Sequence, residues 1–95
     1  MMCGGFTQSH PADDLAKEVA NEVRPKVEGA FNAHYTVYEP VSYQTQVVAG
    51  TNFSIKIKVD GDQYIHVKVF RPLPCNGTEL ELLSHSGNHT LADQL

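Results

Sequence analysis

An α+β fold, with one long helix packed on a curved antiparallel sheet of about four to five strands, is predicted by a change of rhythm along the chain. Apolar residues recur at every fourth position up to about residue 32 and at every second position after Pro40. The alternating segments are joined by short links, which makes them antiparallel neighbours. Each has an apolar face and a face bearing Lys and Ser. A single amphipathic helix is the only element available to cover the apolar side.

The helical stretch runs from Asp13 to about Asn32. Leu15, Val19, Val23, Val27 and Phe31 form its stripe, with Ala16, Ala20 and Ala30 beside them and charges opposite. Asp13 and Asp14 suit its start, where carboxylates complement free N–H groups and the helix dipole, and Pro11 marks the boundary. Pro25 removes one backbone bond and Gly29 is a poor helix former, so a bend around Asn21 to Pro25 is expected.

Three long strands follow. In the first, Val41, Tyr43, Thr45 and Val47 alternate with polar partners. In the second, Phe53, Ile55, Ile57 and Val59 alternate with Ser54, Lys56 and Lys58. In the third, Ile65, Val67 and Val69 alternate with His66, Lys68 and Phe70. Asp60-Gly61-Asp62 makes a turn between the second and third. Asn76-Gly77 makes another, leading to a fourth strand near Leu80 to Leu83.

Ninety-five residues make one domain, 1–95, with room for a single core. A composition 41% hydrophobic and 19% charged belongs to a chain that folds. A net charge of −4 with only seven Lys and Arg excludes a basic nucleic-acid-binding face. The opening MMCGGFTQSH has no cationic start and no apolar run, and no segment approaches a membrane span, so a soluble, cytoplasmic protein is expected. In a reducing compartment Cys3 and Cys75 stay thiols, and the Asn-x-Ser/Thr triplets at Asn52, Asn76 and Asn88 carry no glycan.

Catalytic chemistry finds little footing. Cys75 falls in a turn, and none of the histidines at 10, 34, 66, 85 and 89 forms a recognisable nucleophile–base pair with it. His85 and His89 have a spacing that would pair on a helix, but Gly87 and Asn88 between them argue for a loop. The expectation is no catalytic residue, no metal and no cofactor.

The stretch Gln46-Val47-Val48-Ala49-Gly50 is different. It falls where the longest hairpin turns, yet it is apolar. Val47 continues the core parity of its strand and Val48 breaks it, so at least one branched side chain projects outward. Gly50 supplies either a positive φ or a backbone that can lie close to something else. Leu73-Pro74 stands at another hairpin at the same end of the meander, with the charged Asp60-Gly61-Asp62 turn at the opposite end. Apolar tips gathered at one end of a soluble chain point to a protein-binding edge.

QVVAG followed by TNF, the glycine near the start in MMCGG, and LP after HVKVF resemble the stefins, the single-domain intracellular branch of the cystatin superfamily, and among them the cystatin B-like sequences. PA at 11–12 and VRPKVE in the helix extend the similarity over nearly the whole chain. The resemblance implies a cystatin-like fold and reversible, tight-binding, competitive inhibition of papain-like cysteine proteases such as cathepsins L, S, H and B. It implies a wedge of three parts: a trunk of Met2, Cys3 and Gly4; a first hairpin of Gln46, Val47, Val48, Ala49 and Gly50; and a second hairpin with Leu73 and Pro74. The chain departs from that pattern at Cys75, where His is common, at Gly29, where a charged residue is common, and in the ending LADQL, which lacks an aromatic residue. The expected state is a monomer, with exchange of the helix and first strand between two copies as an alternative should the Val-Val turn open. A rival of another class is a binding or scaffold module that keeps the fold without inhibiting.

Overall fold

A computed structural model describes residues 10–48, 50–72, 80–90 and 95. In chain order the elements are β1 (His10–Pro11), α1 (Asp14–Phe31), β2 (Tyr38–Val48), β3 (Gly50–Val59), a short 3₁₀ turn (Asp60–Asp62), β4 (Gln63–Pro72) and β5 (Glu81–His89). The five strands form one antiparallel sheet in sequential order, β1-β2-β3-β4-β5, a plain meander. The predicted α+β architecture is what is found.

Helix α1 starts on Asp13, whose carboxylate accepts the Ala16 N–H at 3.0 Å and the Tyr43 hydroxyl at 2.7 Å. These bonds, the one from Ala16 first, hold the Asp13 carboxyl below its ordinary range. The helix stops at Asn32, which sits in the left-handed region at φ 51°. The Asn32 N–H donates to Gly29 O and the Ala33 N–H to Glu28 O, a Schellman closure. The helix runs unbroken through Pro25. Pro25 and Asn21 are both exposed, so the backbone bond that the proline removes is lost on the solvent-facing side of the helix.

Ala16, Val19, Ala20, Val23 and Val27 are buried against Phe53, Ile55, Ile57, Val59, Ile65, Val67 and Val69 of the sheet. Burying a branched or aromatic side chain of this kind stabilises the fold by about 1.5–3 kcal/mol. The two ends of the predicted stripe behave differently from its middle. Leu15 is 40% exposed, at the end where the sheet runs on past the helix, and Phe31 is half-buried, packed edge-on against Tyr35 and His85.

Two further corrections concern the strands. The β2–β3 register slips between Pro40 and Ser42, which leaves Val41 in a bulge, only half-buried, while Pro40 takes the core-facing place opposite Ile57. The last strand is far longer than Leu80 to Leu83 and continues through Gly87 to His89. A Cβ on Gly87 would come within 3.1 Å of the Phe31 ring, so this glycine serves strand–helix contact and does not break the strand. The expected turn at Asn76-Gly77 lies outside the described residues, as does Cys75.

The opposite end of the sheet is tied by side chains. The Asp60 carboxylate accepts the backbone N–H groups of Val37 and Thr36, which lowers its pKa, and Glu28 accepts the Tyr35 N–H at 2.9 Å with the same effect. Arg24 donates to Glu28 and to the Tyr35 carbonyl and lies 4.9 Å over the Tyr38 ring. The charged turn is therefore the anchor of the helix-to-strand connection. No helix among the described residues is long and apolar enough to cross a membrane.

Candidate functional site: the hairpin end of the sheet

The alternation that buries Tyr43 on the inner face carries Val47 past the end of the helix. No described residue covers it there, and its side chain is 71% exposed. Strands β2 and β3 run almost to each other: Val48 pairs with Gly50, Val47 with Thr51 and Gln46 with Asn52. The two arms of the hairpin thus continue the sheet as far as Val48 and Gly50. Ala49 and the side chain of Val48 lie outside the described residues.

Gly50 meets both requirements read from the sequence, although what lies close to it is its own chain. Its φ is +129°, a conformation that side-chain-bearing residues rarely adopt. A Cβ there would stand 2.5 Å from the Arg71 carbonyl oxygen and 2.8 Å from two atoms of the Phe70 ring. Strand β4 therefore lies flat against the hairpin, with Pro72 opposite Gly50 and Arg71 opposite Thr51.

On the outer face, the Asn52 side-chain amide donates to Gln46 Oε1 at 2.9 Å and bridges the two arms of the hairpin. Asn52 thereby has a structural task that the glycan triplet did not suggest. Phe70, opposite Asn52 on β4, belongs to an outer-face series with Tyr64, His66 and Lys68.

On the inner face, beyond the helix terminus, an open groove of about 340 Å³ is lined by Leu15, Thr45, Gly50, Thr51, Phe53, Arg71 and Pro72. The exposed Leu15 is one lip of this groove, beside the hairpin.

The other two predicted parts of the site lie outside the described residues: Met2, Cys3 and Gly4 at one side, Leu73 and Pro74 at the other. Their flanks are described. Strand β1 is antiparallel to β2 with His10 opposite Tyr43, so its N-terminal direction points along β2 towards Val47. Strand β4 ends at Pro72, opposite Gly50. Both flanks open on the end of the sheet that carries the hairpin.

The histidines are dispersed. His85 packs edge-on against Phe31 with ring centroids 4.8 Å apart, on the inner face. His89 stacks flat on His66 at 3.7 Å, on the outer face. The two residues with helix-like spacing sit in a strand and do not converge. Among the described residues no group of three or more His, Cys, Asp or Glu could hold a metal ion.

The comparisons agree with this geometry. A cystatin domain family model matches residues 4–90. Cystatin-A of Felis catus is 41% identical over 95 residues, covering all of this chain and 97% of the relative. Leukocyte cysteine proteinase inhibitor 1 of Sus scrofa is 40% identical over the whole chain and 92% of its own length. Cystatin-B of Mus musculus is 39% identical, again over the whole chain and 97% of the relative. Cystatin A and cystatin B names occur at nearly equal identity, so similarity alone does not single out the B type. With a helix laid on a five-stranded meander, an apolar hairpin at one end and a family match over 87 of 95 residues (4–90), this chain belongs to the cystatin family, in its stefin branch.

Proposed function

We propose that this protein, acting as a single cystatin unit over residues 1–95, is a reversible, tight-binding, competitive inhibitor of papain-like cysteine proteases of the cathepsin L, S, H and B kind. It would act as a monomer in the cytoplasm without a cofactor. The observation that carries the reading is Val47, an exposed branched side chain at the tip of a hairpin whose backbone is fixed on both sides. Such a ridge enters an active-site cleft by shape. Because its two arms are paired in the sheet up to Val48 and Gly50, little conformational entropy is lost there on docking. An interface of roughly 1,200–2,000 Å² then suffices for nanomolar binding with no covalent step. The name of the porcine relative, a cysteine proteinase inhibitor, supports the same reading.

In this account Gln46, Val47, Val48, Ala49 and Gly50 sit over the catalytic cysteine without offering a peptide in cleavable register. Leu73 and Pro74 meet the primed side, and Met2, Cys3 and Gly4 meet the unprimed side. Reach favours the trunk's role. Tyr43 and Val48 are five residue steps apart along the strand, roughly 17 Å, and the six steps from Gly4 to His10 span up to roughly 20 Å. The trunk is thus long enough to arrive at the tip.

The test is titration of active papain. Stoichiometric, reversible loss of turnover, competitive with a small substrate, is expected. Unchanged turnover at micromolar protein would overturn the proposal and leave a non-inhibitory binding module. Deleting residues 1–4 should raise the dissociation rate with little change in association, and an unchanged dissociation rate would remove the trunk from the site.

A further inference from the structure

We propose that Phe70 and Asn52 are positioning residues that hold the Gln46–Gly50 hairpin in its docking geometry, an inference that rests on the inhibitor reading for its functional consequence. Neither residue belongs to the three-part wedge. Phe70 stands on β4 and Asn52 on β3, directly opposite each other on the outer face. Behind the hairpin tip, the Phe70 ring occupies the space that a side chain at Gly50 would need, with two ring atoms 2.8 Å from that point. Asn52 spans to Gln46 on the other arm at 2.9 Å. One residue presses on the start of β3 and the other ties β3 to the end of β2. Together they fix both strands that present Val47.

The placement is otherwise uneconomical. The Asn52 side-chain oxygen is buried without a hydrogen-bond partner among the described residues, a cost that an apolar residue at the same place would not carry. An asparagine selected only for stability would therefore be better replaced. One selected to lock Gln46 across the hairpin would not.

The consequence is a separation of stability from inhibition. A hairpin that samples other arrangements binds with an affinity reduced by the fraction of molecules in the competent one. If Phe70→Leu lowers that fraction to a tenth, the inhibition constant rises roughly tenfold, and the loss falls on the association rate. Phe70→Tyr keeps the ring and should stay within about twofold of the parent, since the competent fraction is restored. Asn52→Val should hold or raise the melting temperature while weakening inhibition.

The experiment measures papain association and dissociation rates, melting temperature, and backbone amide relaxation at Val47, Val48, Gly50 and Thr51 for the parent and the three variants. Increased amide mobility with slower association in Phe70→Leu and Asn52→Val, and rescue by Phe70→Tyr, is the expected result. Parent-like mobility and rates in both weakened variants would overturn the inference. So would a Phe70→Tyr variant as impaired as Phe70→Leu. Mobile hairpin amides in a family of proteins that never inhibit papain, parent included, would refute the inhibitor reading and leave the positioning role standing.

Discussion

One added methyl group at Gly50 should be among the most damaging small changes available to this chain. Gly50→Ala places a Cβ 2.5 Å from the Arg71 carbonyl oxygen and 2.8 Å from the Phe70 ring, in a backbone at φ +129°. Two costs arise. Holding a side-chain-bearing residue in a rarely occupied backbone region costs about 1–3 kcal/mol, and forcing an extra methyl into filled space costs about 1–3 kcal/mol. The sum, about 2–6 kcal/mol, is a large part of the roughly 5–15 kcal/mol that holds a domain of this size. The closest neighbour is backbone, so relief requires β3 to lift from β4 where Gly50 faces Pro72 and Thr51 faces Arg71.

Gly61→Ala separates the two costs. Gly61 also has a positive φ, +74°, but nothing lies within 4 Å of its added Cβ. It reports conformational strain alone, about 1–2 kcal/mol. Urea denaturation of the two variants and the parent gives both terms, and papain inhibition shows whether the hairpin has moved. A Gly50→Ala protein within about 0.5 kcal/mol of the parent, the range of ordinary surface changes, with unaltered inhibition, would refute the contact between β4 and the hairpin.

Three more outcomes follow from the same packing. Gly29→Ala should stabilise the protein by about 0.8–1 kcal/mol, because the position is helical, exposed and has nothing within 4 Å of a new Cβ; a loss of stability in urea would contradict this. Tyr38→Phe removes the hydroxyl bond to Ala20 O at 2.8 Å and should cost about 0.5–1.5 kcal/mol, and a neutral result would mean that water serves equally well. The third concerns pH. The Asp60 carboxyl is held below its ordinary value of 3.8, first by the Val37 N–H and then by the Thr36 N–H. A group whose pKa is lower in the folded than in the unfolded state contributes stability above its ordinary value, and that contribution is lost as pH falls through the folded value. Asp13 and Glu28 act in the same sense. Stability should fall on acidification below about pH 4, and the fall should be shallower in Asp60→Asn; an equally steep fall would remove Asp60 from the account.

The sheet and helix were legible because their periods are enforced by burial on one face. Phe53, Ile55 and Ile57 lie where alternation puts them, as do Val19, Val23 and Val27 on the helix. Errors gathered where a local pattern meets a tertiary edge. Leu15 has the right spacing, but at the start of the helix it borders the open groove at the hairpin end. Val41 has the right parity, but a bulge at Pro40 shifts it. Gly87 suggests a loop by composition, yet it is small because the Phe31 ring passes beside it. At the candidate site, the apolar stretch and its glycine were readable as an outward-facing tip. Their support was not, since the contact of Phe70 with Gly50 and the bond from Asn52 to Gln46 depend on strand register, which alternation alone does not set.

Ser54 and Lys56 illustrate a related point. Both belong to the polar face, yet they are 3% and 6% exposed. Strand β3 is central, and its long neighbours β2 and β4 cover both flanks. Polar identity marks the outer face here without marking exposure.

The central claim, that an exposed aliphatic tip blocks a protease by fit, is tested most directly by comparing papain inhibition and urea stability for the parent and Val47→Asp. With Val47 71% exposed, the substitution should leave stability within about 0.5 kcal/mol, while burying an unpaired carboxylate in the cleft should abolish tight inhibition. Undiminished inhibition by a well-folded Val47→Asp protein would contradict it.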